Sequence, residues 1–157
     1  MKTQSLGPQI KLDKKISISR LLIENLGILL TYWGISHINW LIFKNLGVLP
    51  MPFWPAAAIA FVAALFRGYT IIPGIALGTI LANYISLGAI FSYACCISIT
   101  NTIGPLVAAF IARTYLKNKL FIDKLSKFIV LLFTGIIIMP IITAIGGIGF
   151  KWALGLL

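Results

Sequence analysis

Two apolar stretches, each opened by a proline, meet at the four-residue turn Arg67-Gly68-Tyr69-Thr70, and Arg67 is the only charged residue between Phe53 and Asn83. Backbone in lipid must satisfy its own hydrogen bonds, so apolar segments of this kind are helical, and so short a turn makes them a membrane hairpin. The rest of the chain repeats the pattern. Of 157 residues 60% are hydrophobic and 10% charged, with a mean hydropathy of +1.03, a balance that a soluble domain of this size does not tolerate. The expected class is all-α, a polytopic transmembrane helical bundle. No segment remains for a soluble catalytic domain.

Helices of about 20 residues cross the hydrocarbon core. The candidate spans are Leu21 to Phe43, Phe53 to Arg67, Ile71 to Phe91, Ser92 to Thr114 and Phe128 to Phe150, with residues 1–20 as a basic cytoplasmic tail and 21–157 as one membrane domain. No small-residue cleavage site follows the first apolar segment, which is therefore retained. The second segment is short and invites a re-entrant reading, which charge placement decides. With five spans and a cytoplasmic N-terminus, Lys2, Lys11, Lys14, Lys15, Arg20, Arg67, Arg113, Lys117, Lys119, Lys124 and Lys127 lie inside, and only Lys44 and Lys151 outside. If the second segment does not span, later loops invert and the bias disappears. The positive-inside rule therefore favours five. The net charge of +10 is explained by topology rather than by nucleic acid, and the expected surroundings are a lipid bilayer.

The hairpin also carries a pattern. Trp54, Pro55, Ala56, Ile59 and Ala60, followed by Gly68, Tyr69, Pro73, Gly74, Ile75, Leu77, Gly78, Leu81, Ala82 and Asn83, resemble the MASE1 family of bacterial membrane sensor domains, whose pattern runs approximately W-P-P-A-G-I-A and G-Y-x-x-x-P-G-I-x-L-G-x-x-L-A-N. Weaker likeness continues through Asn101-Thr102-Ile103 and Arg113, then through Asp123 to Phe128, Pro140, Thr143, Ala144 and Gly146. The resemblance implies about eight spans followed by a cytoplasmic diguanylate cyclase, histidine kinase or similar effector. This sequence covers the first five and is expected to be a truncated form. Where the family pattern places a glutamate the chain has Gly104, and Pro105 stands where alanine is usual. An intramembrane carboxylate is a functional candidate by default, so its loss bears on sensing.

Spacing singles out several residues. Gly74, Gly78 and Ala82 recur every four residues, as do Ala56, Ala60 and Ala64, giving small faces on which these two helices pack against each other or on the fourth span. Pro55 and Pro73 fall at helix starts, where a missing donor costs little. Pro105 and Pro140 fall within spans and free a carbonyl one turn earlier. Thr100-Asn101-Thr102 precedes Pro105, so a kinked, polar ligand pocket or hinge is expected there, with Asn101, Thr102, Pro105, Asn83 and His37 as signal-sensing candidates. Asn101 read on its own is an interhelical hydrogen-bonder. Glu24 pairs with Arg20 at helical spacing, His37 sits toward the outer end of its span, and Trp33, Trp40, Trp54 and Trp152 fit interfacial belts or the packed outer face of the bundle. Adjacent Cys95 and Cys96 are too close for an unstrained disulfide and read as packing residues.

No P-loop, HExxH motif, activated nucleophile or metal-ligand cluster is present in the sequence, and the acidic residues Asp13, Glu24 and Asp123 are scattered. No enzyme activity and no cofactor are expected. The leading reading is a membrane sensory input module acting on itself or on a separate signalling protein. Two alternatives are a small-solute transport component resembling the substrate-binding subunit of an energy-coupling vitamin transporter, and a fragment without function.

Overall fold

A computed structural model describes residues 17–48, 51, 53–116 and 125–156, and every described element is helical. Helix α1 spans Ile18–Asn45 and α2 spans Pro55–Arg67. A 3-10 turn at Gly68–Ile71 leads into α3, Ile72–Leu81, which ends in a π turn at Ala82–Ser86. Helix α4 covers Phe91–Tyr115, and α5, Leu125–Phe133, passes through a second π turn at Thr134–Ile138 into α6, Met139–Ala153. The tail up to Lys15, together with Lys117, Lys119, Asp123 and Lys124, lies outside the described residues, whereas Arg20, expected in the tail, belongs to α1.

Four helical runs are long and apolar enough to cross a membrane: Ile18–Asn45, Pro55–Ser86, Phe91–Tyr115 and Leu125–Ala153. The expected second and third spans form one run because the 3-10 turn joins them without a loop. That run nevertheless reverses. Along α1, Phe53 accepts a hydrogen bond from Asn39 and Arg67 pairs with Glu24; beyond the turn Gly74 meets Asn25, Gly78 meets Tyr32, and Ser86 meets His37. So α2 descends α1 and α3 climbs it again. Gly68 makes the reversal with φ 64° and ψ −135°, a region in which a Cβ is strained.

Side chains fix the packing. Helices α1 and α4 each touch both α2 and α3, while α2 and α3 make almost no contact with each other. Of the two expected arrangements, packing on each other is not seen; the α2 face meets α4, the expected fourth span, and the α3 glycines meet α1, which was not foreseen. Ala56, Ala60 and Ala64 of α2 are fully buried in a core with Ala109 and Ala112 of α4, Tyr32, Ile71, Ile75 and Ala82. Gly74 and Gly78 of α3 face α1 instead: a Cβ at 74 would stand 2.6 Å from the Asn25 carbonyl oxygen, and one at 78 would stand 3.0 Å from Tyr32 Cβ. Helix α6 attaches through α4, where Gly104 abuts Thr143 and Gly146 abuts Thr100.

The prolines follow the backbone. Pro55 and Pro73 occupy the first turns of α2 and α3. Helix α4 continues through Pro105, whose side chain is buried. Pro140 lies within the run Leu125–Ala153, as expected of a proline inside a span, in the first turn of α6 directly after the π turn.

Gly74→Ala is expected to lower the thermal midpoint of the purified protein, because backbone rather than a flexible side chain blocks the new methyl. Gly34→Ala on α1 meets nothing within 4 Å and should gain up to about 1 kcal/mol from helix propensity. Opposite signs in thermal unfolding would check the close approach.

Candidate functional site

Polar side chains gather where α1 faces α3. Tyr32, Ser36 and Asn39 recur at intervals of four and three on α1, and Thr79, Asn83 and Ser86 recur likewise on α3 and its π turn; all six are buried. The close approach at Gly74 and Gly78 sets the register that brings the two rows together. Trp54 of α2 adds an indole, whose Nε1 donates to the Tyr32 hydroxyl at 3.2 Å. The Asn39 amide donates to the Phe53 carbonyl at 3.2 Å and lies 3.4 Å from Met51 Sδ. His37 Nδ1 is 3.0 Å from Ser86 Oγ, and its ring lies between Trp33 and Trp40.

Not every group in this layer is paired. Ser36 Oγ and Trp33 Nε1 are buried without a hydrogen-bond partner among the described residues, a state that buried polar atoms rarely keep. The π turn lies against the same layer. Its wider loop carries the Leu87 N–H to the Ala82 carbonyl, and the Asn83 amide donates to the Thr79 carbonyl at 2.9 Å. Such turns recur at functional positions in helices.

A second cluster binds the hairpin turn to α1. Glu24 accepts from Arg20 Nε at 2.9 Å and holds Arg67 through both carboxylate oxygens, with Arg67 Nε 2.9 Å from Oε2. Asn25 caps α3 from outside: its Oδ1 accepts from the Gly74 N–H at 2.8 Å, and its amide donates to the Thr70 and Leu21 carbonyls at 2.9 and 3.0 Å. One of the N–H groups left over at a helix start is thereby satisfied.

The sequence-derived candidates divide between two regions. Asn83 and His37 fall in the α1–α3 layer. Asn101, Thr102 and Pro105 lie on α4, where Asn101 is half-buried without a side-chain hydrogen bond among the described residues and Thr102 Oγ1 is buried without a partner. The structure does not bring the two groups into one pocket. At position 104 there is no room for the family's glutamate as α6 is placed, since a Cβ would come within 2.8 Å of Thr143 Cγ2 and 3.2 Å of the Met139 oxygen. Of the remaining motif residues, Tyr69 is exposed at the turn; the two cysteines read as packing residues, Cys95 and Cys96, are free and half-buried.

Sequence reasoning missed Tyr32, Ser36, Asn39, Thr79 and Ser86, although their intervals of four and three mark a polar face on each helix. It also paired Glu24 with Arg20 alone. Arg67 was visible only through the antiparallel register of α1 and α2.

Polar side chains turned inward and apolar ones outward, with Leu22 64%, Ile136 66% and Ile145 68% exposed, define a multi-pass helical membrane protein. Within that class the chain belongs to MASE1, a family of membrane-associated sensory domains, whose family model matches residues 21–157. No curated protein and no solved structure matches it.

Asn25→Ala removes an acceptor from Gly74 and donors from Thr70 and Leu21, and should cost about 1–3 kcal/mol. Asn25→Asp keeps the acceptor and should recover part of the loss. Thermal unfolding of both variants in one detergent tests the cap.

Proposed function

We propose that this chain is a sensory input module of the bacterial inner membrane, in which a ligand or a membrane condition biases how α1 packs on α3. The observation that carries this reading is the buried polar layer with its unpaired Ser36 and Trp33 groups beside a π turn. The π turn supplies two arrangements. Tightening it to α geometry would turn the residues that follow by about 100°, taking Ser86 away from His37. A signal that prefers one arrangement shifts the population, and an effector coupled to these helices reads the shift. The effector is a cytoplasmic enzyme domain on this or a separate polypeptide, and the module itself does no chemistry.

In the same reading the chain crosses the membrane five times from a cytoplasmic N-terminus. The reversal at Gly68 supports this, as does charge: Arg20, Arg67, Arg113 and Lys127 fall toward one end of the bundle, and Lys44 and Lys151 toward the other. Alkaline phosphatase fused after Val48 or Ala89 should be active and after Thr70 or Leu116 inactive. Equal activity at Val48 and Thr70 would remove one crossing and refute the topology.

Output is testable in a chimera in which this chain replaces the equivalent part of a longer sensor of the family. Ser36→Leu and Asn83→Leu fill or unpair the polar layer and should change output by about twofold or more, with Asn101→Ala having the smaller effect. Unchanged output from both leucine variants, at equal protein level, would eliminate the layer as the sensing element.

A further inference from the structure

We infer that the groove between α1 and α2, at the end carrying Arg20, Glu24 and Arg67, binds the phosphate of an anionic phospholipid. The groove measures about 490 Å³, with those three residues at one end and Gly27, Ile28 and Ile59 along it. Two guanidiniums share one carboxylate there, which leaves a net positive charge. Arg113 adds a third cation at the same turn, its Nη1 lying 3.1 Å from where a Gly68 Cβ would be.

Donors remain for an anion. Arg20 uses only Nε on Glu24, and Arg67 uses Nε and one terminal nitrogen, so three terminal nitrogens have no partner among the described residues. Guanidiniums match phosphate oxygens in paired geometry. An uncompensated cation at the edge of hydrocarbon is costly, and an anionic headgroup offsets it.

The rest of the groove selects a lipid over a free anion. Gly27 contributes no side chain, and a Cβ there meets nothing within 4 Å. Ile28 and Ile59 supply apolar wall, and Ile23 and Phe66 nearby are 70% and 62% exposed. A phosphate seated between the arginines therefore has a channel for its acyl chain along Gly27.

The test uses the full chain purified in mixed micelles, with phosphatidylglycerol and phosphatidylcholine as probes and native mass spectrometry as readout. Phosphatidylglycerol should be retained with about tenfold or greater preference, and Arg20→Gln should reduce that preference about fivefold, the share of one cation near a membrane surface. Gly27→Phe fills the groove without changing charge and should abolish the preference, with thermal unfolding in phosphatidylcholine reporting that the variant is folded. Lys44→Gln, at the opposite end, should leave it intact. An unaltered preference in folded Gly27→Phe, or equal loss in Lys44→Gln, would assign the effect to general surface charge and overturn the site. Displacement of the lipid by millimolar inorganic phosphate would overturn the lipid assignment in favour of a free anion.

Discussion

The close approach of α3 to α1 is the contact on which the rest of the bundle depends. Lipid gives helices no hydrophobic reason to associate, so packing and interhelical hydrogen bonds must hold them. Gly74 and Gly78 let the α3 backbone reach the α1 backbone at Asn25 and Leu29, and Asn25 then donates to and accepts from the hairpin. That register has a consequence two turns away. It sets Tyr32, Ser36 and Asn39 against Thr79, Asn83 and Ser86, so the small residues that enable packing also determine which polar groups are buried together.

Two interfaces of different chemistry follow from the same backbone logic. Helix α2 enters the core through alanines, with Ala56, Ala60 and Ala64 sealed against α4 and no polar group asked to pair. The α4–α6 contact interlocks glycine with threonine, Gly104 with Thr143 and Gly146 with Thr100, and Thr100 turns its hydroxyl back to the Ile97 carbonyl at 3.1 Å. Threonines there present methyl groups to glycines and keep their hydroxyls on their own helix. The α1–α3 contact differs in combining the closest backbone approach, at Gly74, with a row of buried polar side chains on each helix.

Much of this was legible in the sequence. Membrane class, helical architecture, the hairpin turn at Gly68 and the small faces follow from hydropathy and four-residue spacing, and the family pattern lies in the same hairpin. Which helix each small face meets was not legible, because Gly74 and Ala60 carry the same local signal and differ only in their neighbours. Glu24 was read only in part, for a related reason: its pair with Arg20 is present at 2.9 Å, but Arg67 was not foreseen. Helical spacing nominates Arg20 four residues away, and the two-pronged contact from Arg67 exists only once α2 runs back along α1.

The span count shows where length and composition run out. Residues 55–86 form one uninterrupted helical run, and a count by length sees one crossing, because a 3-10 turn of four residues leaves no loop. Direction is carried by a single glycine. With φ 64° and ψ −135°, Gly68 ends α2 by donating to the Ala64 carbonyl, and the next helix starts back along α1 within four residues. Arg67 immediately before it is held by Glu24, so the ion pair sits at the point where the backbone reverses. A straight helix through the same residues would carry Arg67 away from Glu24 and leave a lone cation within an apolar run, whereas the Gly74 N–H would simply exchange Asn25 for the Thr70 carbonyl. The ion pair with Glu24 therefore belongs to the folded-back path alone, and it is the side-chain contact that favours the reversal.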